Sequence, residues 1–253
     1  MILREYPDKT AIIDADSLIY AVGFASEDAE EKIALARMAE RLEDMLFLEL
    51  GVEKYEGYLT GQGNFRKHIA VTAPYKGQRT GAKPKHYNLL REYLVEAWGF
   101  VVVDGSEADD KVVQRHFELG SGSILAGIDK DGLQSPGLHY NWQKQNVFEV
   151  SVAEGLKNFY RQVLTGDRID NIIGIRGIGP AKADKLLEGC VTAVQMYDAC
   201  AAAYTKDIEK TGLVGDNANN AAHIRVHENA QLLWMCRVES EIWHYGIEEK
   251  YYG

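Results

Sequence analysis

The sequence predicts an α/β fold in which helices flank a parallel β-sheet and a helical region follows the sheet. Two observations predict this fold. In the first 155 residues, short apolar segments alternate with longer amphipathic segments, which is typical of strand–helix units in a parallel sheet. After residue 155 the β-rich segments disappear, and the remaining chain has a helical pattern. We therefore predict two domains, an α/β core over 1–155 and a helical lobe over 156–253.

The predicted elements follow one another in a regular order. The predicted strands are a short apolar run at 10–13 and further segments at 55–60, 101–103 and 124–128. The helices are placed at 29–50, at 86–98 and from residue 107 onward. Gly51 is the expected C′ glycine of the first helix, and Ser106 is the expected N-cap of the third. The residues at 61–85 are basic and interrupted by Gly and Pro, so we expect a loop there.

The distribution of charge matters more than its sum. The net charge of −10 taken alone argues against nucleic acid as a partner, because binding to phosphates needs clustered Lys and Arg. From Gly57 to Arg91, however, the chain has no Asp or Glu. This segment carries Arg66, Lys67, Lys76, Arg79, Lys83, Lys85 and Arg91. We expect it to bind a polyanion and to be poorly ordered until a phosphate backbone neutralises it.

Several classes of protein are excluded by composition. The three cysteines, Cys190, Cys200 and Cys236, are far apart and form no C-x-x-C pair, which argues against a disulfide framework and a zinc site. No apolar run approaches the ~20 residues that cross a bilayer. The first residues lack the features of a signal peptide. We therefore expect a cytoplasmic protein without a membrane partner. A monomer is expected as well, although the sequence carries no signal for the oligomeric state.

Acidic residues recur in four tight groups, and three groups follow predicted strands. The groups are Asp14 with Asp16, Glu107 with Asp109 and Asp110, Asp129 with Asp131, and Asp167 with Asp170. Because the carboxyl ends of parallel strands meet at one edge of a sheet, these side chains should lie close together. Such carboxylates need a counter-cation, and their oxygens suit Mg²⁺ or Mn²⁺. The alternative for each single group, a solvated helix cap or turn, stays open.

A glycine-rich turn at 174–182 precedes the helical segment ADKLL. Gly177 and Gly179 permit a tight turn, and the free N–H groups of the following helix can bind a backbone phosphate. Lys182 and Lys185 add positive charge beside the turn. The alternative is an ordinary turn between two helices. A P-loop is excluded, since no Gly-Lys-Ser/Thr follows.

These motifs together resemble the flap endonuclease / 5′-to-3′ exonuclease family. The run GDRIDNIIGIRGIGPAKADKLL at 166–187 is similar to the family's signature. IIDAD at 12–16, EADD at 107–110 and IDKD at 128–131 match its other acidic motifs in the expected order. NFRK at 64–67 and PYKGQR at 74–79 resemble its basic segment. The resemblance covers most of residues 10–190, and the bacteriophage exonuclease branch is the most similar.

The resemblance implies a fold and an activity. The core would be a PIN-like sheet with an arch segment over 61–91, and the lobe would contain a helix-hairpin-helix over 170–188. The enzyme would hydrolyse phosphodiester bonds at or near DNA 5′ ends during DNA replication, in the host cytoplasm if phage-encoded. Its partners would be duplex, nicked or 5′-flapped DNA and RNA–DNA hybrids. It would use two Mg²⁺ or Mn²⁺ ions, with a monovalent cation at the hairpin.

The resemblance also implies roles for individual residues. The expected metal ligands are Asp14, Glu107, Asp109, Asp110, Asp129, Asp131, Asp167 and Asp170. Lys76 and Arg79 would contact the scissile phosphate as catalytic residues, and Tyr75 would stack on a terminal base. Further DNA contacts are expected from Arg66, Lys67, Gly177, Gly179, Lys182 and Lys185.

One position departs from the family pattern. Gly61 stands where the family usually has an aspartate, so that one ligand is missing or is supplied by Asp16. On this basis Gly61→Asp should strengthen metal binding. Two alternatives remain. A haloacid-dehalogenase-type phosphatase would explain IIDAD and GDRID but leaves EADD, IDKD and the hairpin unexplained. A non-catalytic DNA-binding module would explain the missing aspartate.

Overall fold

The computed structural model describes residues 5–253, which divide into two compact units. The first unit comprises residues 5–64, 81–150 and 235–240, and the second comprises 65–80, 151–234 and 241–253. The observed division differs from the one expected at residue 155 in two respects. Residues 65–80 belong to the second unit, and residues 235–240 belong to the first. The assignment of the units as nuclease core and DNA-binding lobe stays a prediction.

A mixed six-stranded sheet forms the centre of the first unit. Its strands are β1 (Thr10–Asp14), β2 (Lys54–Thr60), β3 (Val101–Val103), β4 (Ser123–Ala126), β5 (Gly137–Asn141) and β6 (Asn146–Val150). The order across the sheet is β3-β2-β1-β4-β5-β6, and only the last pair is antiparallel. The four predicted strands and their parallel arrangement are confirmed. The β5–β6 hairpin was not predicted. A second sheet in the second unit pairs β7 (Gly166–Asp167) with β8 (Ile172–Ile173), although no strand was expected there.

Helices account for most of the remaining described residues. They are α1 (Asp16–Ala25), α2 (Glu31–Glu43), α3 (Arg66–Ile69), α4 (Tyr87–Trp98), α5 (Ala108–Leu119), α6 (Val152–Thr165), α7 (Pro180–Leu186), α8 (Ala193–Glu209), α9 (Asp216–Leu233) and α10 (Glu249–Tyr252). The helix expected at 29–50 is instead α2 followed by a π-helical turn, Asp44–Glu49. The expected N-cap at Ser106 is wrong, because Glu107 occupies that position in a capping box. None of the described helices is long and apolar enough to cross a membrane.

The first unit buries both faces of its sheet, as a largely parallel sheet requires. Successive residues of a strand point to opposite faces, so Ile12 and Ile13 join different clusters. Ile12 packs with residues of α5 such as Val113. Ile13 packs in a cluster that includes Leu18 of α1 and Met38 of α2. This layering leaves the carboxyl ends of β1 and β4 side by side at one edge.

The second unit is built around α6, α8 and α9, which pack against one another. Its core contains Phe159 in T-shaped contacts with Tyr160 and Trp234. β7 and β8 form a tight hairpin. Its two strands approach so closely that a Cβ on Gly166 would overlap backbone atoms of Gly174, and a Cβ on Gly174 would overlap backbone atoms of Gly166. This hairpin carries two of the predicted site residues, one at the end of β7 and one in the loop.

Candidate active site

Acidic residues lie at the carboxyl end of the two central strands. Asp14 ends β1, and Asp129 lies three residues beyond β4, which pairs in parallel with β1. Burial, together with the nearby charges of Asp16 and Asp129, raises the pKa of Asp14 to about 7. The sheet therefore brings together the acidic groups that follow β1 and β4, as the sequence predicted.

Asp16 has a defined structural role at this edge. Its carboxylate accepts a hydrogen bond from the backbone N–H of Thr60, with distances of 3.1 and 3.3 Å to its two oxygens. The guanidinium of Arg91 lies 3.8 Å away. These contacts tie the start of α1 to the end of β2. Such a capping role is the alternative to metal binding that was left open for this acid.

The acids at the start of α5 differ in how deeply they are buried. Glu107 is the N-cap, and its backbone N–H donates to Asp110 at 3.2 Å. Asp110 is fully buried and also accepts from the backbone N–H of Cys236 at 3.1 Å. Asp109 is half-buried, and one of its oxygens accepts from the N–H of Asp110. Among these three, Asp110 is thus held most firmly by the fold.

The third acidic group forms a turn beyond β4. Asp129 accepts a hydrogen bond from the backbone N–H of Asp131 at 3.0 Å, which is an Asx turn. Asp131 begins a short 3₁₀ helix, Asp131–Gln134, and is buried. Asp129 is exposed. The turn alternative is therefore observed, and it leaves the second oxygen of Asp129 directed away from that bond.

The acidic edge fits a hard divalent cation by its donor chemistry. Asp14, Asp16 and Asp129 offer only carboxylate oxygens, and their mutual repulsion is what a cation would relieve. Between residues 5 and 253, no group of three or more His, Cys, Asp or Glu side chains converges in an arrangement ready to hold a metal ion. The site therefore has the donors for a metal, while its carboxylates are held in hydrogen bonds to the backbone.

The fourth acidic group lies in the second unit, with Asp167 at the end of β7 and Asp170 in the loop that joins β7 to β8. Asp167 accepts from the backbone N–H groups of Ile169 and Asp170, at 2.7 and 3.2 Å. Asp170 accepts a hydrogen bond of 2.8 Å from Tyr75 and another of 2.8 Å from Arg79. The ammonium of Lys76 is 3.7 Å from the same carboxylate.

This cluster changes two expectations about the basic segment. The segment was expected to be poorly ordered without DNA, but its anionic partner is supplied by Asp170 of the same chain. The backbone N–H of Lys76 also donates to the carbonyl of Asp170 at 2.8 Å. Tyr75 is only 6% exposed and lies in the core of the second unit, so its ring does not present a face to a base. The predicted stacking role of Tyr75 is therefore not supported in this conformation.

Arg66 also differs from its expected role. Its side chain is fully buried and donates to the carbonyls of Leu232 at 2.8 Å and Trp234 at 2.7 Å. The prediction that Arg66 holds a DNA phosphate is wrong for this structure, because the guanidinium binds backbone carbonyls inside the second unit. The neighbouring Lys67 is exposed.

The glycine-rich turn has the geometry expected for close contact with a ligand backbone. Gly177 has φ +79°, and Gly179 is the N-cap of α7, which begins at Pro180. A Cβ on either glycine would meet no atom within 4 Å, so this side of the turn is open. Lys182 is exposed and donates to the carbonyl of Gly177 at 2.8 Å. Lys185 is exposed as well.

The structure explains the glycine at position 61 in a different way. The N–H of Gly61 donates to the carbonyl of Val103 at 2.7 Å, and a Cβ there would overlap the Asp104 carboxylate and approach that carbonyl to 2.7 Å. An aspartate at this position has no room, so the expectation that Gly61→Asp strengthens metal binding no longer holds. Sequence reasoning missed Asp104, which accepts from the N–H of Gln62 at 2.6 Å. The same sequence pattern that indicated Asp14, an acid directly after a predicted strand, also occurs at Asp104.

Comparisons with known proteins agree with this architecture. No family model matches the chain. It is 30% identical over 170 residues to DNA polymerase I of Deinococcus radiodurans, which covers 61% of the chain and 16% of that protein. It is 34% identical over 142 residues to DNA polymerase I of Rhizobium leguminosarum, which covers 49% of the chain and 14% of that protein. The chain thus spans only a small part of the curated relatives that it matches.

Solved structures show the same fold. The flap endonuclease of bacteriophage T5, in a complex with DNA and metal ions, matches with a TM-score of 0.63 at 16% identity, over 89% of this chain and 88% of that one. The T5 5′-exonuclease with bound zinc ions matches over the same shares, with a TM-score of 0.62 at 15% identity. The catalytic core of Rad2 with a DNA substrate gives a TM-score of 0.54 at 15% identity, over 90% and 75%. The predicted fold class and the resemblance in fold are confirmed, and the phosphatase alternative is not favoured.

Proposed function

We propose that this chain, whose fold is that of the flap endonuclease of bacteriophage T5, is a divalent-metal-dependent 5′ nuclease. It would hydrolyse phosphodiester bonds at or near DNA 5′ ends, as a 5′-to-3′ exonuclease or flap endonuclease. The observation that carries the proposal is the acidic edge of the sheet. There Asp14 and Asp129 follow adjacent parallel strands, and burial with neighbouring charge raises the pKa of Asp14 to about 7.

The proposed ligands come from all four acidic groups. They are Asp14, Glu107, Asp109, Asp110, Asp129, Asp131, Asp167 and Asp170. Two bound Mg²⁺ or Mn²⁺ ions would stabilise the charge that develops on the attacking and leaving oxygens of the phosphodiester. In the first unit, Asp129 is exposed and Asp14 and Asp109 are half-buried, so these three are the most accessible of the proposed ligands. Asp110 contributes mainly by holding the first turn of α5, to which Asp109 belongs.

Lys76 and Arg79 are proposed to bind the scissile phosphate. Both already bind an oxyanion in this structure, the carboxylate of Asp170. A phosphate presents the same kind of charged oxygen, so it can replace Asp170 as their partner. Their charge would then also stabilise the transition state, and Lys76→Ala should lower the rate by about 10²-fold.

The glycine-rich turn is proposed to grip duplex DNA as part of a helix-hairpin-helix. The open side of Gly177 and Gly179 lets a phosphate approach backbone N–H groups closely. Lys182 and Lys185 add positive charge, and a monovalent cation at the turn is part of the proposal. Binding of this kind recognises the backbone and not the base sequence.

The finer assignments rest on the resemblance. We propose a monomeric, bacteriophage-type enzyme of DNA replication that acts in the cytoplasm. Its substrates would include nicked and 5′-flapped DNA, and RNA–DNA hybrids as well.

One experiment separates this function from its alternatives. A 5′-flapped duplex is incubated with the wild type, with Asp129→Asn and with Asp28→Asn, in Mg²⁺ or in EDTA. Asp28 is an exposed acid between α1 and α2 and serves as a control. We expect Mg²⁺-dependent cleavage by the wild type and the control only. Release of inorganic phosphate without shorter DNA would indicate a phosphatase, and binding without cleavage would indicate a DNA-binding module.

A further inference from the structure

A cavity of about 450 Å³ opens on one face of β4, β5 and β6 in the first unit. Its floor is a row of three side chains, since Leu125 pairs in register with His139 and His139 pairs with Phe148. The rings of His139 and Phe148 are stacked, with centroids 5.6 Å apart and planes 25° apart. The floor is thus largely apolar, and one face of the Phe148 ring on its outer strand is covered by His139.

The floor carries no charge. Burial lowers the pKa of His139, so that the imidazole is neutral near pH 7. Its Nε2 lies 2.7 Å from the carbonyl of Ser135, to which the neutral ring donates. This bond fixes the ring and leaves its stacked partner, Phe148, half-buried at the cavity. A flat apolar ligand would find a rigid aromatic surface there.

The mouth of the cavity is polar and positively charged. Asn141 and Asn146 form the next pair of the hairpin, and Lys144 lies in the turn between them. The Oδ1 of Asn141 accepts from the N–H groups of Gln143 and Lys144, at 3.1 and 2.9 Å. These bonds use the Oδ1 of the Asn141 amide as an acceptor and fix the orientation of the amide, whose NH₂ group is a donor. Within the described part of the chain, the side chains of Lys144 and Asn146 have no protein partner.

The turn that carries Lys144 is anchored. Gln145 has a left-handed backbone conformation with φ +52°, and its side-chain amide donates to Glu49 at 2.8 Å. Trp142, at the start of the turn, is buried. The ammonium of Lys144 is therefore presented from a fixed backbone.

We propose that this cavity binds one nucleotide, with the base stacked on Phe148 and a phosphate at Lys144. An aromatic face, free amides and an ammonium group are the three elements that recognise a base and its phosphate. Asp129 lines the rim of the same cavity. If the proposed function is correct, the bound nucleotide is therefore adjacent to the cleaved bond, either the released residue or its neighbour.

The test measures binding in the absence of metal and of catalysis. The full chain in EDTA is titrated with dAMP and with inorganic phosphate, and binding is followed by saturation-transfer NMR and calorimetry. Phe148→Leu keeps an apolar side chain but removes the aromatic face, and Lys144→Ala removes the ammonium. Phe24→Leu and Lys54→Ala are matched controls, because both residues are exposed and lie outside the cavity. Thermal unfolding of each variant verifies that it is folded.

We expect saturable binding of dAMP to the wild type and both controls. Phe148→Leu and Lys144→Ala should each weaken it by about tenfold, in line with the loss of one stacking or charged partner. Inorganic phosphate should not displace dAMP at equal concentration. The proposal is overturned if dAMP does not bind at millimolar concentration, if phosphate competes equally, or if folded Phe148→Leu and Lys144→Ala bind like their controls.

The nuclease assay on the same preparations keeps the two claims apart. A wild type that cleaves flapped DNA but does not bind dAMP retains the proposed function and loses the nucleotide site. A wild type that binds dAMP through Phe148 and Lys144 but cleaves nothing retains the site and loses the proposed function.

Discussion

At the residue scale, the first turn of α5 shows that neighbouring carboxylates with the same chemistry have different roles. Asp110 is buried and accepts backbone hydrogen bonds from Glu107 and Cys236. Asp109 is half-buried and accepts one from the next residue. A fully buried carboxylate that accepts backbone hydrogen bonds stabilises the fold, whereas a half-buried one is accessible to a ligand.

This difference gives the first prediction. Asp109→Asn should lower the rate of DNA cleavage by orders of magnitude and leave the free energy of unfolding nearly unchanged. Asp110→Ala should lower the free energy of unfolding by about 1–3 kcal/mol, because it leaves buried N–H groups unpaired. Urea denaturation and a cleavage assay on the same samples measure both quantities. Equal losses of stability in the two variants would contradict the assignment of a structural role to Asp110 and not to Asp109.

A buried histidine pair in the first unit gives the second prediction. Burial, and to a lesser extent the nearby His139, lowers the pKa of His116 from an ordinary value of 6.5 to about 4. Because the folded pKa is the lower one, the unfolded chain binds more protons between these values, and stability is lost as the pH falls through this window. The free energy of unfolding should decrease by about 2 kcal/mol from pH 7 to pH 5 because of His116.

Variants of the histidines check this assignment. His116→Gln stays neutral at every pH, so its stability should depend less steeply on pH than that of the wild type. His68→Gln, at an exposed histidine of α3, should behave as the wild type does. Urea denaturation at pH 5, 6 and 7 measures the effect. A wild-type slope in His116→Gln would assign the pH dependence to other groups.

At the scale of elements, the turn at 74–79 is held by the loop between β7 and β8. The carboxylate of Asp170 accepts hydrogen bonds from Tyr75 and Arg79, at 2.8 Å each. The side chain of Gln78 donates to the carbonyl of Arg168 at 2.7 Å. Much of this attachment depends on one carboxylate. The third prediction is that Asp170→Asn accelerates tryptic cleavage after Lys76 and Arg79 in metal-free protein, as followed by mass spectrometry.

A matched variant controls for general loosening of the second unit. Asp184→Asn breaks a different ion pair in that unit, with Arg161 at 2.7 Å. It should leave cleavage in the turn at the wild-type rate. If Asp170→Asn and Asp184→Asn were cleaved at the same rate, Asp170 would not be what holds the turn.

The fourth prediction concerns the glycine-rich turn. Gly179 has a negative φ, and a Cβ there meets no atom within 4 Å, so Gly179→Leu should fold normally. The added side chain should prevent close approach of a phosphate and weaken binding to duplex DNA by about tenfold, with little effect on a short single strand. Gly122→Leu, at an equally open glycine of the first unit, is the control. Fluorescence anisotropy measures the affinities. Unchanged duplex affinity in Gly179→Leu would remove the turn from the DNA interface.

The sequence predicted the elements with strong local patterns and missed those whose pattern is weak. β1 and β4 are short apolar runs, which are typical of buried parallel strands, and β2 and β3 are rich in aromatic or β-branched residues. β5 and β6 mix polar and apolar residues over only five positions each, between polar turns, and were missed. α1 was missed because its sequence, DSLIYAVGFA, is apolar on most sides and has little helical periodicity.

Site residues were predictable by position and less so by role. Acids after strands were found because strand ends meet at one edge of a parallel sheet. Arg66 was assigned to DNA because it lies in a basic segment, but its partners are carbonyls of Leu232 and Trp234, far along the chain. No local pattern indicates such contacts. The burial of Tyr75 likewise depends on the core of the second unit and not on its neighbours in sequence.

At the scale of the whole molecule, the chain combines a net charge of −10 with an acid-free basic segment. Under the proposed function the acidic groups would bind metal and would repel DNA, so attraction of the substrate would depend on a few cations such as Lys76 and Arg79. The affinity for DNA should therefore be sensitive to salt. The basic segment would admit a free 5′ end of DNA. The direction in which a DNA strand is degraded is therefore the property that most directly connects this segment to the proposed activity.

The fifth prediction tests this central claim with one duplex, labelled in parallel samples at its 5′ or its 3′ end. With Mg²⁺, the 5′ label should appear in short products before the 3′-labelled strand loses its label. Lys76→Ala should show the same order at a rate lower by about 10²-fold, with an unchanged Mg²⁺ requirement. Loss of the 3′ label first, or equal loss from both ends in EDTA, would contradict the proposal of a metal-dependent 5′ nuclease.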